Sequence, residues 1–239
     1  MSESTPPTVI TPATRRGLAR WAVKQTVFVL LLAAALCLPA SRPIWSGAWL
    51  YLGLVVFIQA LTAFILVPRS PDLLIERSQM NAGVKPWDIA LAVLMGYSPV
   101  LMALAAGLES QRGTLAGGLD AGALIAVPVA LLGTLLTLWA MCANRFFSGI
   151  VRIQQERGHS VASGGPYQVV RHPGYVGMLI FTLSTPLMLG STWSAYVALL
   201  VVILTIVRTA LEDRTLQREL PGYAEYARSV RYRLLPGIW

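Results

Sequence analysis

The sequence predicts an all-α fold, a polytopic membrane helical bundle of about six apolar segments, and three observations carry that prediction. Of 239 residues, 55% are hydrophobic and only 13% charged, with a mean hydropathy of +0.62, which is too apolar for a soluble domain of this length. Apolar stretches recur at about 20 residues each, the length at which a helix rising 1.5 Å per residue crosses about 30 Å of hydrocarbon. Most of the Arg and Lys residues stand immediately beside these stretches.

Residues 1 to 14 are rich in Ser, Thr and Pro without apolar periodicity and are expected to form a disordered tail. The spans are expected at about Trp21 to Leu38, Trp45 to Val67, Asp88 to Gly107, Leu119 to Ala143, Tyr175 to Leu189 and Thr192 to Arg208. Arg15 and Arg16 ahead of an apolar run ending near Pro39 and Ala40 have the form of a targeting signal. Beyond that run the chain holds more membrane spans and no soluble domain, so the run reads as the first transmembrane helix. The fifth span is short, and Gly190 and Ser191 alone separate it from the sixth, so these two should form a tight antiparallel hairpin. The chain thus divides into the tail (1–14), N-terminal transmembrane helices (15–129) and a C-terminal region (130–239) holding the last spans and two polar segments.

The net charge of +8 is better explained by topology than by nucleic acid, since no basic run alternates with aromatic residues. With the N-terminus in the cytosol, only Arg42 and Arg112 of the 19 Lys and Arg residues fall outside. The positive-inside rule therefore expects both termini inside, at the inner membrane if the chain is bacterial. Residues 144 to 174 and 209 to 239 then face the cytosol together. Cys37 and Cys142 read as buried thiols and supply neither a disulfide framework nor metal-ligand spacing. No inverted repeat is visible, and no acid sits inside a span, Asp88 and Asp120 lying at span starts, so a transporter or pump is disfavoured. No protein partner is evident.

The stretch from Gly164 to Gly177, GGPYQVVRHPGYVG, holds the chemistry. Gly164, Gly165 and Pro166 favour a tight bend, and Pro173 suits a first helical turn. Arg171 and His172 should then project beside the N-terminus of the fifth span, whose amides and dipole attract an anion. Gly174 and Gly177 share a face and admit a close neighbour. A plainer reading of the same residues is a basic interfacial loop with Tyr167 and Tyr175 as headgroup anchors. Arg208 and Glu212, four residues apart, share a helix face where Glu212 can accept hydrogen bonds from a ligand. Equally, Arg208 can snorkel and Glu212 can be its ion-pair partner. Asn144, Arg145 and Gln154 lie within reach of the same region, whereas His159 reads as a solvated loop residue and Tyr223 and Tyr226 as packing residues.

Gly165-Pro166-Tyr167, Arg171-His172-Pro173, Tyr175 and Gly177 resemble the hallmark of the isoprenylcysteine carboxyl methyltransferase and phospholipid methyltransferase superfamily of membrane enzymes. A second block, Glu212-Asp213, Leu216, Gly222-Tyr223, Tyr226, Val230, Arg233 and Leu235-Pro236, is similar to the family's Glu-Glu pair, aromatic pair and closing hydrophobic-Pro, with Asp213 in place of the second Glu. The resemblance covers about residues 130 to 239. It implies a methyltransferase using S-adenosylmethionine on a lipophilic or small acceptor, a carboxylate, thiol or amine, in contact with the bilayer.

That cofactor carries a carboxylate, an ammonium, a sulfonium, a ribose diol and an adenine, so its pocket needs cationic and acidic groups beside an apolar wall. The resemblance points to Gly165, Pro166, Tyr167, Arg171, His172, Tyr175, Arg208 and Glu212 as cofactor-binding. Arg171, His172 and Glu212 are then the catalytic set, with His172 either a binding group or a base. Two other readings compete: a sterol-type NADPH-dependent reductase and a non-catalytic membrane scaffold or transport component. The reductase pattern has Asn after the Pro and Glu after the next Gly, where this chain has Gly174 and Met178. A scaffold would be free to lose Arg171, His172 or Glu212, and all three are present.

Overall fold

A computed structural model describes residues 11–40, 45–79, 83–112 and 120–239. Among the described residues eight α-helices run in the order α1 (Pro12–Cys37), α2 (Ser46–Arg69), α3 (Pro71–Arg77), α4 (Pro86–Ser110), α5 (Ala121–Ala143), α6 (Pro173–Leu189), α7 (Thr192–Glu219) and α8 (Tyr223–Ser229). Among the described residues there is no strand. Five helices, α1, α2, α4, α5 and α7, are long and apolar enough to cross a membrane, and α6 is a shorter apolar helix. The chain is a multi-pass integral membrane protein.

The helix ends follow local chemistry. Thr11 caps α1 by accepting from the Thr14 amide at 3.1 Å, and Pro12 occupies the first turn, so the helix takes in three residues expected to be tail. The remainder of the expected tail, residues 1–10, lies outside the described residues, as do Arg42 and Leu119. Asp120 caps α5 through the Ala123 amide at 2.7 Å. Pro99, Pro128 and Pro186 sit inside helices, where packed neighbours in a bundle tolerate them. The short helix α3, not expected from hydropathy, starts at Pro71 and buries Leu73 and Leu74 against Trp21 and Leu66.

Gly190 ends α6 in the left-handed conformation at φ 63°, and Ser191 caps α7, so the expected hairpin is as tight as two residues allow. Glu109 reinforces the turn from α4, accepting from Ser191 Oγ at 2.6 Å and from the Trp193 amide at 3.0 Å. The main partner of α6 is nevertheless α5. There the backbones meet at Gly133 and Gly177. A Cβ on Gly133 would stand 2.6 Å from the Gly177 carbonyl oxygen, so glycine is what permits the approach. Within the spans, Gln25 and Gln59 pair across α1 and α2. Cys142, expected to be a buried thiol, is exposed on the outer face of α5, while Cys37 is half-buried.

The lengths of α6 and α7 position the site. With 17 residues, α6 spans about 25 Å and falls short of a hydrocarbon core of about 30 Å. With 28 residues, α7 reaches about 42 Å, so its first 20 or so residues, to about Leu211, suffice to cross and the rest projects beyond. The start of α6 and the end of α7 therefore meet near the membrane boundary.

Candidate functional site

Two turns build the site where α5 ends and α6 begins. Gly165, at φ 57°, opens a short 3-10 turn through Gln168, and a Cβ there would press on Trp139 Nε1 at 3.0 Å. That turn buries Pro166 and delivers Tyr167 inward. Its hydroxyl accepts from Asn144 Nδ2 at 3.2 Å, and its carbonyl accepts from the Tyr226 hydroxyl at 2.7 Å. Pro173 then starts α6 with His172 at its cap. The amides of Arg171 and His172 do not point to open space. They donate to the carbonyls of Tyr232 and Arg233 at 2.9 and 3.0 Å, so the C-terminal segment runs along the motif.

The two neighbouring acids of α7 have different environments. Asp213 is fully buried. It accepts from Arg171 Nη2 (3.1 Å), Arg233 Nε (2.9 Å), the Tyr223 hydroxyl (3.1 Å) and Gln217 Nε2 (2.8 Å), with Arg171 Nε at 2.9 Å and His172 Nε2 at 3.5 Å. Arg171 also donates to the carbonyls of Ala227 and Val230. Glu212 is only partly buried and accepts from the Tyr175 hydroxyl at 2.5 Å. Burial, followed by the charges of Asp213 and Glu212, pushes the Tyr223 hydroxyl well above its usual range, so it stays a neutral donor.

Around them is an open cavity, with about 1110 Å³ of empty space counting its mouth. Tyr167, Arg171, His172, Tyr175, Glu212 and Tyr223 line it. Its apolar wall comes from Phe146, Phe147, Met178 and Leu216. The structure thus brings together six residues, five of them expected from sequence and the sixth, Tyr223, read there as packing only.

Three residues expected to bind the cofactor do not line this cavity. Arg208 does not line the cavity; its guanidinium pairs with the fully buried Asp88 at 2.7 and 3.0 Å and donates to the Gly149 carbonyl at 2.7 Å. A cation deep in a bundle needs a buried counter-charge, and Asp88 on α4 supplies it, so Arg208 neither snorkels nor pairs with Glu212. Gly165 and Pro166 shape the turn behind Tyr167 and are likewise absent from the lining.

His159 departs from the expected solvated loop residue. It lines the cavity, lies tilted against the Phe146 ring with centroids 4.6 Å apart and accepts from the Gln154 amide at Nδ1, 3.2 Å away. Gln154 is fully buried on the Phe146 carbonyl, Arg145 lies over the Phe146 ring, and of the three weaker candidates only Asn144 lines the cavity. Sequence reading missed Arg77, which lines the cavity over the Phe147 ring at 5.0 Å. No periodic signal marks it, because α3 is shorter than a span. Among the described residues no group of His, Cys, Asp and Glu has the arrangement of a metal site.

Residues 124–218, which carry most of these side chains, match the Isoprenylcysteine carboxyl methyltransferase (ICMT) family. The chain is 35% identical over 104 residues to protein-S-isoprenylcysteine O-methyltransferase B of Arabidopsis thaliana, covering 42% of this chain and 52% of that protein. It is 33% identical over 95 residues to a probable protein-S-isoprenylcysteine O-methyltransferase of Oryza sativa subsp. indica, covering 39% and 50%. Over a shorter run of 49 residues it is 41% identical to the protein-S-isoprenylcysteine O-methyltransferase of Schizosaccharomyces pombe, covering 20% and 21%. The chain spans about half the length of the first two relatives.

Proposed function

We propose that this chain, whose C-terminal region belongs to the isoprenylcysteine carboxyl methyltransferase superfamily, is a membrane methyltransferase using S-adenosylmethionine. The acceptor is a lipophilic or small molecule bearing a carboxylate, thiol or amine. The observation that carries the reading is Glu212, a carboxylate opening into a largely apolar cavity beside Arg171 and His172, all inside the region shared with those enzymes. The charge division supports a cytosolic site and cytosolic termini, at the inner membrane in a bacterium. Residues 130–239 are then the catalytic region, and residues 15–129 the helices that hold it in the bilayer.

The donor set fits the cofactor. An ammonium and a sulfonium call for a carboxylate and electron-rich rings, which Glu212, Tyr175 and Tyr223 provide, while the cofactor's own carboxylate calls for a cation, which Arg77, Arg171 or His172 can offer. Phe146, Phe147 and Leu216 suit an adenine. Bound there, the group would supply an electrophilic methyl carbon.

The chain itself contributes position and exclusion of water. The Tyr175 hydroxyl fixes the Glu212 carboxylate, and the Arg171–Asp213 pair clamps α6 to α7, so the polar wall is set before a ligand arrives. Because α6 is too short to span, its start leaves the cavity close to the hydrocarbon boundary, where a lipophilic acceptor can approach from the bilayer. A carboxylate or thiolate acceptor needs no strong base, whereas an amine must lose a proton, a role we assign to His172.

Calorimetry on the detergent-purified protein tests the reading. Saturable binding of S-adenosylmethionine or its demethylated product, without binding of NADPH, is expected. Binding of NADPH alone would replace this reading with the reductase one.

A further inference from the structure

We propose that residues 228–238 form an interfacial strap that binds anionic lipid headgroups and, through its backbone, holds the turn carrying Arg171 and His172. The strap lies beside the start of α6, which the length of that helix places near the membrane boundary. Its Tyr232 and Arg233 carbonyls accept from the amides of Arg171 and His172, immediately before Pro173 starts an apolar helix.

Its fold is compact and its outer face unpartnered. The amides of Arg233, Leu234 and Leu235 all donate to the main-chain oxygen of Trp239, at 2.9, 3.0 and 3.1 Å. The Arg233 guanidinium lies 4.9 Å from the Trp239 ring while donating to Asp213, and Leu234 is buried. With those contacts made inward, Leu235 remains 50% exposed and Ile238 78% exposed, and Tyr232 on the same segment is exposed as well. Apolar side chains directed outward from a rigid segment at a membrane boundary are the pattern of an interfacial anchor.

Charge selects the lipid class. Arg228 and Arg231 are exposed on the same segment, and among the described residues neither forms an ion pair. Each such cation near an anionic surface strengthens attraction roughly fivefold, whereas a zwitterionic surface offers little net field. An acidic soluble protein would meet the same charges, but it would have to displace the bilayer from Leu235 and Ile238. The bilayer is therefore the occupant the geometry favours.

The strap has a consequence for the site. Headgroups that immobilise it also immobilise the backbone hydrogen bonds to Arg171 and His172 and the Arg233 contact to Asp213, so the polar wall is ordered more strongly on an anionic membrane.

Hydrogen exchange on the full chain tests this without a cofactor, and so independently of the proposed activity. The protein is placed in nanodiscs of phosphatidylcholine alone or of phosphatidylcholine mixed with phosphatidylglycerol. Peptides covering residues 168–173 and 228–239 are expected to exchange more slowly in the mixed discs by up to about 25-fold, the effect of two cations gaining an anionic surface. The double variant Arg228→Gln, Arg231→Gln alters two exposed side chains and should abolish that difference while leaving exchange in α4 and α5 unchanged. Equal exchange of the parent protein in both discs, or a lipid effect that survives in the double variant, would overturn the proposal.

Discussion

Arg171 and Asp213 join the start of α6 to the end of α7 through a paired contact, with Nε 2.9 Å from Oδ1 and Nη2 3.1 Å from Oδ2. Asp213 is the shared acceptor for two arginines, a tyrosine and a glutamine, and it does not line the cavity. The second acid of the Glu212-Asp213 pair is thus a fastener, and only the first faces the cavity.

Asp213→Asn should therefore lower the thermal denaturation midpoint in detergent sharply, because it leaves Arg171 buried without its counter-charge, a change that commonly costs about 3–5 kcal/mol. Asp213→Glu retains the charge but adds a methylene to a fully buried site, and restoring only part of the loss is the expected result. A near-parental midpoint for Asp213→Asn would show that Arg233 and Arg171 are held by other contacts.

Glu212→Gln is expected to behave in the opposite way. Its carboxylate has one described protein partner, Tyr175, so the folded state should lose little. Removing the charge from a ligand contact in a cavity is expected to weaken S-adenosylmethionine binding at least about tenfold, or about 1.4 kcal/mol. Calorimetry paired with thermal denaturation separates the two roles. Parental affinity in a stable variant would remove Glu212 from the cofactor site.

Arg208 should prove structural. With Asp88 fully buried against it, Arg208→Met leaves an unpaired carboxylate in the bundle and should destabilise strongly. The double variant with Asp88→Leu removes both charges and should recover a good part of the stability, and a double-mutant cycle measures the coupling directly. Cofactor affinity of the folded double variant is expected to stay close to parental. A selective loss of binding would return Arg208 to the site.

Much of this was legible in the chain because membrane insertion leaves a periodic record. Six apolar segments, the two-residue hairpin at Gly190 and Ser191, and the short fifth span all follow from length and turn chemistry. The glycine face of α6 was legible too, since small residues three apart have few other uses in a membrane helix. Pairing across the bundle was not. Nothing in sequence spacing tells that Arg208 meets Asp88, 120 positions away, in preference to Glu212 one turn away. The same limit explains Arg77 and His159, whose place in the cavity wall depends on how α3 and the segment after α5 fold over the helix ends.

His159 gives the site an acid-side sensitivity. Burial first, and then the charges of Arg152 and Arg157, hold its imidazole below its usual value, so the folded state favours the neutral ring that accepts from Gln154. The unfolded chain binds the proton more readily, and the stability carried by neutral His159 is present above about pH 6.5 and lost as pH falls through the depressed folded value. Denaturation midpoints measured from neutral pH downward should fall less steeply in His159→Asn than in the parent. Identical slopes would mean that protonation at this position is not linked to folding.

Gly177→Ala should show how far the site depends on the α5–α6 contact. In an exposed helix interior, replacing Gly by Ala gains up to about 1 kcal/mol of helix propensity, so the sign of the effect is set by the surroundings. At Gly177 an added Cβ runs into the Gly133 carbonyl and the Thr137 side chain, with the Thr137 amide 2.8 Å away, and neither backbone can yield without separating the helices. Overpacking of this kind costs about 1–3 kcal/mol and should exceed the propensity gain. Because Tyr175 lies two residues earlier on α6, a displaced helix also moves the hydroxyl that fixes Glu212, so a lower midpoint and weaker cofactor binding should appear together. Gly53→Ala on α2 is the matched control, since nothing lies within 4 Å of its added Cβ, and it should leave both measurements unchanged or raise the midpoint slightly. If Gly177→Ala behaves like Gly53→Ala, the close approach of α5 and α6 is not what holds the cavity in shape.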